Sequence, residues 1–188
     1  MQERGKIKDK KEAILNSALT LITQYGLHGI SMKMIADEAN VAAGTIYVYF
    51  KNKEEMLASL YNRIVEEINF VVSETFDNQV CFKNNFIKIW SEIMMCYIED
   101  QRVPDFILQY GFLGSNVSAD RQFLSPIYEL FEKGKKEQLL KEIPVTGLIA
   151  LAHGPITSLV RMSRQSNTLF TDIDVSQYAA ACWDSIRR

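Results

Sequence analysis

The chain has 188 residues, 47% of them apolar and 23% charged. That is enough to bury one core of ordinary size or two small ones in series, and too apolar for a disordered polypeptide. Its 21 basic and 23 acidic side chains leave a net charge of −2, which excludes a polycation built to coat nucleic acid but not a local basic patch.

The opening MQERGKIKDKKE is charged throughout and lacks the apolar stretch of a secretory signal, so a cytoplasmic protein is expected. Beyond it, apolar residues recur at three- and four-residue steps and strict alternation is scarce, which predicts an all-α fold of about nine helices. Ile14, Ala18, Leu21, Ile22 and Tyr25 stripe a first helix over about 10–25, with Gly26 placed to close it as a left-handed cap. Ser31 offers an N-cap to a second helix over about 32–39, which carries Ile35, Ala36 and Ala39 and ends near Asn40, a residue that tolerates left-handed backbone. The segment 43–50, with Ile46 and Phe50 four apart, is short and aromatic enough for a strand. Its neighbour decides for helix: a short helix, a tight turn and a second short apolar-faced segment form a helix-turn-helix, whereas a lone strand has nothing to pair with.

A fourth helix over about 53–77, through Met56, Leu57, Leu60, Ile64, Ile68 and Val71, links this head to the rest. Phe82, Phe86, Ile89, Trp90, Ile93, Met94 and Tyr97 then form a wide stripe; Pro104 opens a short helix through Leu113; and Phe123, Ile127, Leu130 and Phe131 mark another. Pro144 and Asp172 open the last two helices, over about 145–165 and 173–187. The longest uncharged window, Ile143 to Val160, holds Pro144, Thr146, His153, Pro155, Thr157 and Ser158, so it reads as a helix buried against protein and no membrane partner is expected.

Cys81, Cys96 and Cys182 are odd in number, widely spaced and without a C-x-x-C pair, which argues against a disulfide framework. With only His28 and His153 beside them they make no zinc site either. No nucleophile–base pair, phosphate loop or metal-ligand spacing is visible, so neither an enzyme nor a cofactor is expected.

Charge divides unevenly along the chain: residues 1–53 hold 8 Lys/Arg against 5 Asp/Glu, or +3, and residues 54–188 hold 13 against 18, or −5. A nucleic-acid-facing module joined to an acidic body produces this pattern, as does chance. In a helix-turn-helix the second helix enters the major groove, and with Ile46 and Phe50 facing the core the outward residues are Ala43, Gly44, Thr45, Tyr47, Val48 and Tyr49. The three hydroxyls can donate to phosphate, Lys53 adds charge, and the small Ala43 and Gly44 permit close approach. Lys33, in the first turn of the preceding helix, is the best candidate for a base contact.

The run IADEANVAAGTIYVYFKNKEEML resembles the DNA-binding signature of the TetR (tetracycline-repressor-like) family of bacterial transcription regulators. The likeness covers roughly residues 10–57 and rests on the alanine–small–valine turn, Gly-Thr-Ile-Tyr, the pair Tyr49-Phe50, and Lys53 followed by acidic residues. It implies an all-helical homodimer in which residues 1–52 bind operator DNA and a divergent domain over 53–188 binds a small apolar effector that releases it. Carried over by position, phosphate contacts fall on Thr45, Tyr47, Tyr49 and Lys53, and groove-facing positions on Lys33, Ala43 and Gly44. Ala42 departs from a frequent polar cap and Val48 from a frequent polar or aromatic residue, so readout leans on Lys33, thymine methyls and DNA shape. Arg4, Lys6, Lys8, Lys10 and Lys11 either add phosphate or minor-groove contacts or are simply solvated.

In the second domain the resemblance implies a ligand cavity, with Trp90, Met94, Tyr97, Phe106, Tyr110, Tyr128 and His153 as candidates; packing in an ordinary core is the other reading of the same residues. The last two helices resemble the family's dimerisation pair, offering Gly147, Leu151, Gly154, Ser158, Tyr178, Ala181, Cys182 and Ile186, against burial within the monomer. Two alternatives to a regulator stand: a helical small-molecule-binding protein without sequence-specific DNA recognition, and a helical adaptor that binds protein partners.

Overall fold

The computed structural model describes residues 2–111 and 125–188, with side chains for 10–110 and 126–188. Nine helices occur among the described residues: α1 Gln2–Gly29, α2 Met32–Glu38, α3 Ala43–Tyr49, α4 Lys53–Thr75, α5 Phe82–Glu99, α6 Arg102–Gly111, α7 Ser125–Lys136, α8 Val145–Ser166 and α9 Asp172–Ile186. The fold is all-α as the periodicity requires, and an isolated antiparallel bridge joins Leu140 to Arg187.

The helix ends differ from expectation at three places. The α1 segment begins at Gln2, and its helical path is interrupted at Gly26, whose φ of 73 is positive as expected while its ψ of 166 is extended. Glycine alone takes that combination without strain, and it turns the chain into a last short turn ending at Gly29. The third difference is α6, which opens at Arg102 instead of Pro104, because the Asp100 carboxylate accepts the Arg102 amide at 3.1 Å and its guanidinium Nε at 2.8 Å. Pro104 then sits in the first turn, where its missing N–H leaves no bond unmade. Leu113 and Phe123 lie outside the described residues.

The chain forms two compact units, one from Met1–Ile64 with Asp105–Ser115 and the other from Val65–Pro104 with Asn116–Arg188. The chain crosses between them within α4 and again within α6. In the first unit Ile14, Leu15, Ala18, Leu19 and Ile22 of α1 are buried with Ile35, Ile46, Phe50, Met56 and Leu60. Short-range caps fix the turns between these helices. The Ser31 hydroxyl accepts the Met34 amide at 3.2 Å, Asn40 takes a left-handed φ of 51, and Asn52 accepts the Glu55 amide at 2.8 Å while the Glu55 carboxylate accepts that of Lys51 at 2.7 Å.

In the second unit α5 packs against α8 and α9, and α7 against α8. Phe82 and Phe86 meet Trp183 with ring centroids 5.9 and 5.6 Å apart, and Phe86 stands edge-on to Phe131. Gly134 is a packing necessity: a Cβ there would fall 2.6 Å from Phe82 Cζ and 2.7 Å from Leu140 Cδ1. By length and composition α8 could cross a membrane. Here it buries Val145, Leu148, Ala152, Ile156 and Val160 along one face within its own unit, as a core helix does. A capping box of Thr171 and Asp174 starts α9, and the two bonds from Thr171 hold the Asp174 carboxyl below its ordinary range.

Candidate functional site

The first candidate surface is the outer face of α2 and α3. The seven-residue α3 turns Ile46 inward at 0% exposure and leaves Tyr47 57% and Val48 80% exposed. Ala43 and Gly44 are exposed at its start, Thr45 and Tyr49 are half-buried, and Lys33 is exposed on α2. A Cβ at Gly44 would meet nothing within 4 Å, so the chain's own packing does not demand glycine there. The α3 N-cap, Ala42, makes no side-chain bond, consistent with the departure seen in the sequence.

Lys53 carries a contact that sequence reasoning missed. Its Nζ donates to the Ile30 carbonyl at 2.8 Å, fastening the start of α4 to the link between α1 and α2. The ammonium has three protons, so one bond leaves donors for a second partner. No pattern in the sequence marks this pairing, which spans 23 residues. Lys11 places its ammonium 5.7 Å from the Phe50 ring centroid, so this basic residue lies beside α3; the side chains of Arg4, Lys6 and Lys8 lie outside the described residues.

The second candidate site is a cavity of about 30 Å³ inside the C-terminal unit. Phe86, Ile89, Trp90 and Ile93 of α5, Ile127, Leu130 and Phe131 of α7, and Ile149, Ala152, His153 and Ile156 of α8 line it. Each set repeats at helical spacing, so the sequence marks the faces but not which faces meet. Pro155 explains the local chemistry of α8: with no N–H it leaves the Leu151 carbonyl without its helical donor, and the Cys182 Sγ lies 3.8 Å from that oxygen. The neighbouring Ala152 carbonyl accepts the Trp90 Nε1–H at 2.8 Å. His153 Nε2 and the Tyr97 hydroxyl are 2.8 Å apart with the rings edge-on, and burial pushes the imidazole down to about 4.

Of the sequence candidates for this cavity, Trp90 and His153 line it and Tyr97 backs it through His153. Met94 is fully buried in the core and is not part of the lining, and Tyr128 stands partly exposed on α7 away from it. Phe106 and Tyr110 belong to the other compact unit, stacked on each other at 5.3 Å with Tyr110 tilted against Tyr61. There Gln109 Oε1 accepts the Leu27 amide at 3.1 Å, just past the Gly26 turn. A wider groove of about 350 Å³ lies along Val72, Ser73, Phe76, Pro126, Glu129, Leu130 and Lys133, with the Lys133 ammonium 4.6 Å from the Phe76 ring centroid.

The α8 and α9 surface splits the proposed dimer residues. Leu151, Ser158 and Ala181 are exposed, Gly147, Gly154 and Tyr178 partly so, and Met162 adds a 51% exposed side chain. Cys182 and Ile186 are instead buried in the monomer's own core, at 5% and 0% exposure, because their positions on α9 face inward with Ala179 and Trp183.

Comparison with known proteins agrees with this architecture. Residues 14–60 match the family model described as bacterial regulatory proteins, tetR family, and residues 81–187 match that of the tetracyclin repressor-like C-terminal domain. An uncharacterized HTH-type transcriptional regulator of Haemophilus influenzae is 29% identical over 168 residues, covering 89% of this chain and 87% of its own. The crystal structure of a TetR family transcription regulator from Marinobacter aquaeolei superposes with a TM-score of 0.86 at 18% identity, covering 100% and 99% of the two chains. That of the regulator FadR from Bacillus subtilis, in complex with stearoyl-CoA, does so at 0.68 and 21% identity over 92% and 95%. With the second model alone spanning more than half of its length, the chain belongs to the TetR family and is a helix-turn-helix transcription regulator.

Proposed function

We propose that this regulator is a cytoplasmic homodimeric repressor that binds a palindromic operator through residues 1–52 and is released by a small apolar or amphipathic effector held in 53–188, with α4 as connector. The observation that carries the DNA reading is the outer face of α3. Tyr47 and Val48 lie side by side on this face at 57% and 80% exposure, which leaves them available to a partner, and open space at Gly44 suits close approach by a duplex. Thr45, Tyr47, Tyr49 and Lys53 serve the phosphates, while Lys33, Ala43 and Gly44 face the groove.

The dimer reading rests on the exposed residues Leu151, Ser158, Met162 and Ala181 and on Gly154, where an added Cβ would meet nothing within 4 Å among the described residues. Two heads about one duplex turn apart would read the palindrome. The effector reading draws on the apolar cavity and on FadR, which resembles this chain in fold and is bound to stearoyl-CoA. Release follows by population shift: the effector favours a domain arrangement whose head spacing does not fit adjacent grooves.

Selection of genomic fragments with the purified protein tests this reading. One enriched palindrome at nanomolar affinity is expected, and Tyr47→Ala should weaken it about tenfold or more while leaving the dimer folded. Equal, weak binding to all fragments would overturn sequence-specific regulation and leave a small-molecule-binding protein; protein partners bound without any DNA dependence would point to an adaptor.

A further inference from the structure

The lining of the proposed effector cavity is uncharged. Among its described lining residues there is no carboxylate, ammonium or guanidinium. Trp90 has already given its N–H to Ala152, so His153 is the lining side chain left to meet a polar atom. Its ring is held by Tyr97, which is 2% exposed, and burial keeps it in the neutral form at ordinary pH. A neutral imidazole donates or accepts according to its tautomer and offers nothing to balance a full charge. Setting a carboxylate or an ammonium against this apolar wall would take water from an ion that finds no charged partner there, whereas a hydroxyl or carbonyl needs one hydrogen bond.

At about 30 Å³ the cavity holds little more than a water molecule, well short of a ligand site. Leu130 is common to the walls of this cavity and of the 350 Å³ groove, so it divides two spaces that its movement would join. Lys133 and Glu129 bring both signs of charge to the groove, and the apolar floor of Val72, Phe76 and Leu130 suits hydrocarbon.

We infer that cavity and groove are one effector site divided by Leu130, and that it takes an uncharged molecule whose hydrocarbon body lies along the groove and whose single hydroxyl or carbonyl oxygen reaches His153, which Tyr97 holds in place. The inference rests on the effector reading above and specifies its ligand class.

Three ten-carbon probes of different charge test it on the full-length protein at pH 7.5 without DNA: 1-decanol, decanoate and decyltrimethylammonium, followed by intrinsic fluorescence because Trp90 lines the cavity. The alcohol should bind at least about tenfold more tightly than either ion. Tyr97→Phe, which keeps the ring, should selectively weaken the alcohol, and Leu130→Ala should strengthen it. His153→Phe should weaken it further if that variant folds. Decanoate binding as tightly as decanol, and losing affinity on Lys133→Ala, would overturn the inference in favour of an acid held tail-first. Failure of all three probes would overturn it as well. A palindrome found without decanol binding refutes this inference alone, whereas decanol binding with no operator refutes the regulator reading and leaves the site standing.

Discussion

The two compact units encode their sites in opposite ways. In the N-terminal unit the candidate face runs from Lys33 to Lys53, contiguous in sequence, on the seven-residue α2 and α3 and the first residue of α4, with side-chain caps on α2 and α4 that reach three positions along the chain. In the C-terminal unit the cavity is assembled from α5, α7 and α8, and its key bonds span 62 residues from Trp90 to Ala152 and 56 from Tyr97 to His153. A surface that must be read by another molecule can be written locally. A cavity exists only where distant faces close, so its lining is free to vary as long as each helix keeps a buried stripe.

The contrast sharpens through substitutions that strike long-range contacts first. Trp90→Ala removes a buried ring and its hydrogen bond to the Ala152 carbonyl; chemical denaturation should show a loss of about 3–5 kcal/mol. A smaller change in stability would mean that α5 and α8 are less interdependent than their packing suggests.

Protonation probes the same unit without mutation. Burial lowers His153 from 6.5 to about 4, so as pH falls the unfolded chain takes up this proton first. The contribution of the neutral ring is therefore complete above about pH 6.5 and is lost as pH falls to about 4, at most about 3 kcal/mol. Denaturation midpoints across that window should decline in the native protein and decline less in His153→Phe; identical slopes would remove His153 as the cause.

Local devices in the head should yield smaller effects. Gly26→Ala forces a side chain into a φ of 73 with ψ of 166, and a loss of about 1–3 kcal/mol is expected by thermal or chemical melting. Lys53→Met removes the partly buried bond to Ile30 and should lower stability by about 1 kcal/mol, whereas Tyr47→Ala should move it by no more than about 0.5 kcal/mol. Both should weaken operator binding. If Tyr47→Ala proved as destabilising as Lys53→Met, the α3 face would be part of the core and not a surface for DNA.

Most of the head is legible in the sequence because its signals are local. Ser31 caps α2, Asn40 takes the left-handed turn, and Ile46 and Phe50 face inward, each as residue type and spacing demand. The Lys53 bond to Ile30 is not legible, since a lysine at a helix start looks the same whether it faces solvent or a carbonyl. In the C-terminal unit periodicity placed the helices but could not separate Trp90, which lines the cavity, from Met94 one turn away, which does not.

The sequence by itself determined the helical class, the succession of helices, and the inward Ile46 and outward Tyr47 and Val48 of α3, because 3.6-residue periodicity, caps and turn residues act over a few positions. Only the tertiary structure decided that Phe106 and Tyr110 belong to the N-terminal unit, that Cys182 and Ile186 are core, and that His153 meets Tyr97 beside an apolar cavity. Those outcomes depend on which apolar stripe packs against which, a choice made by shape complementarity between segments far apart in the chain.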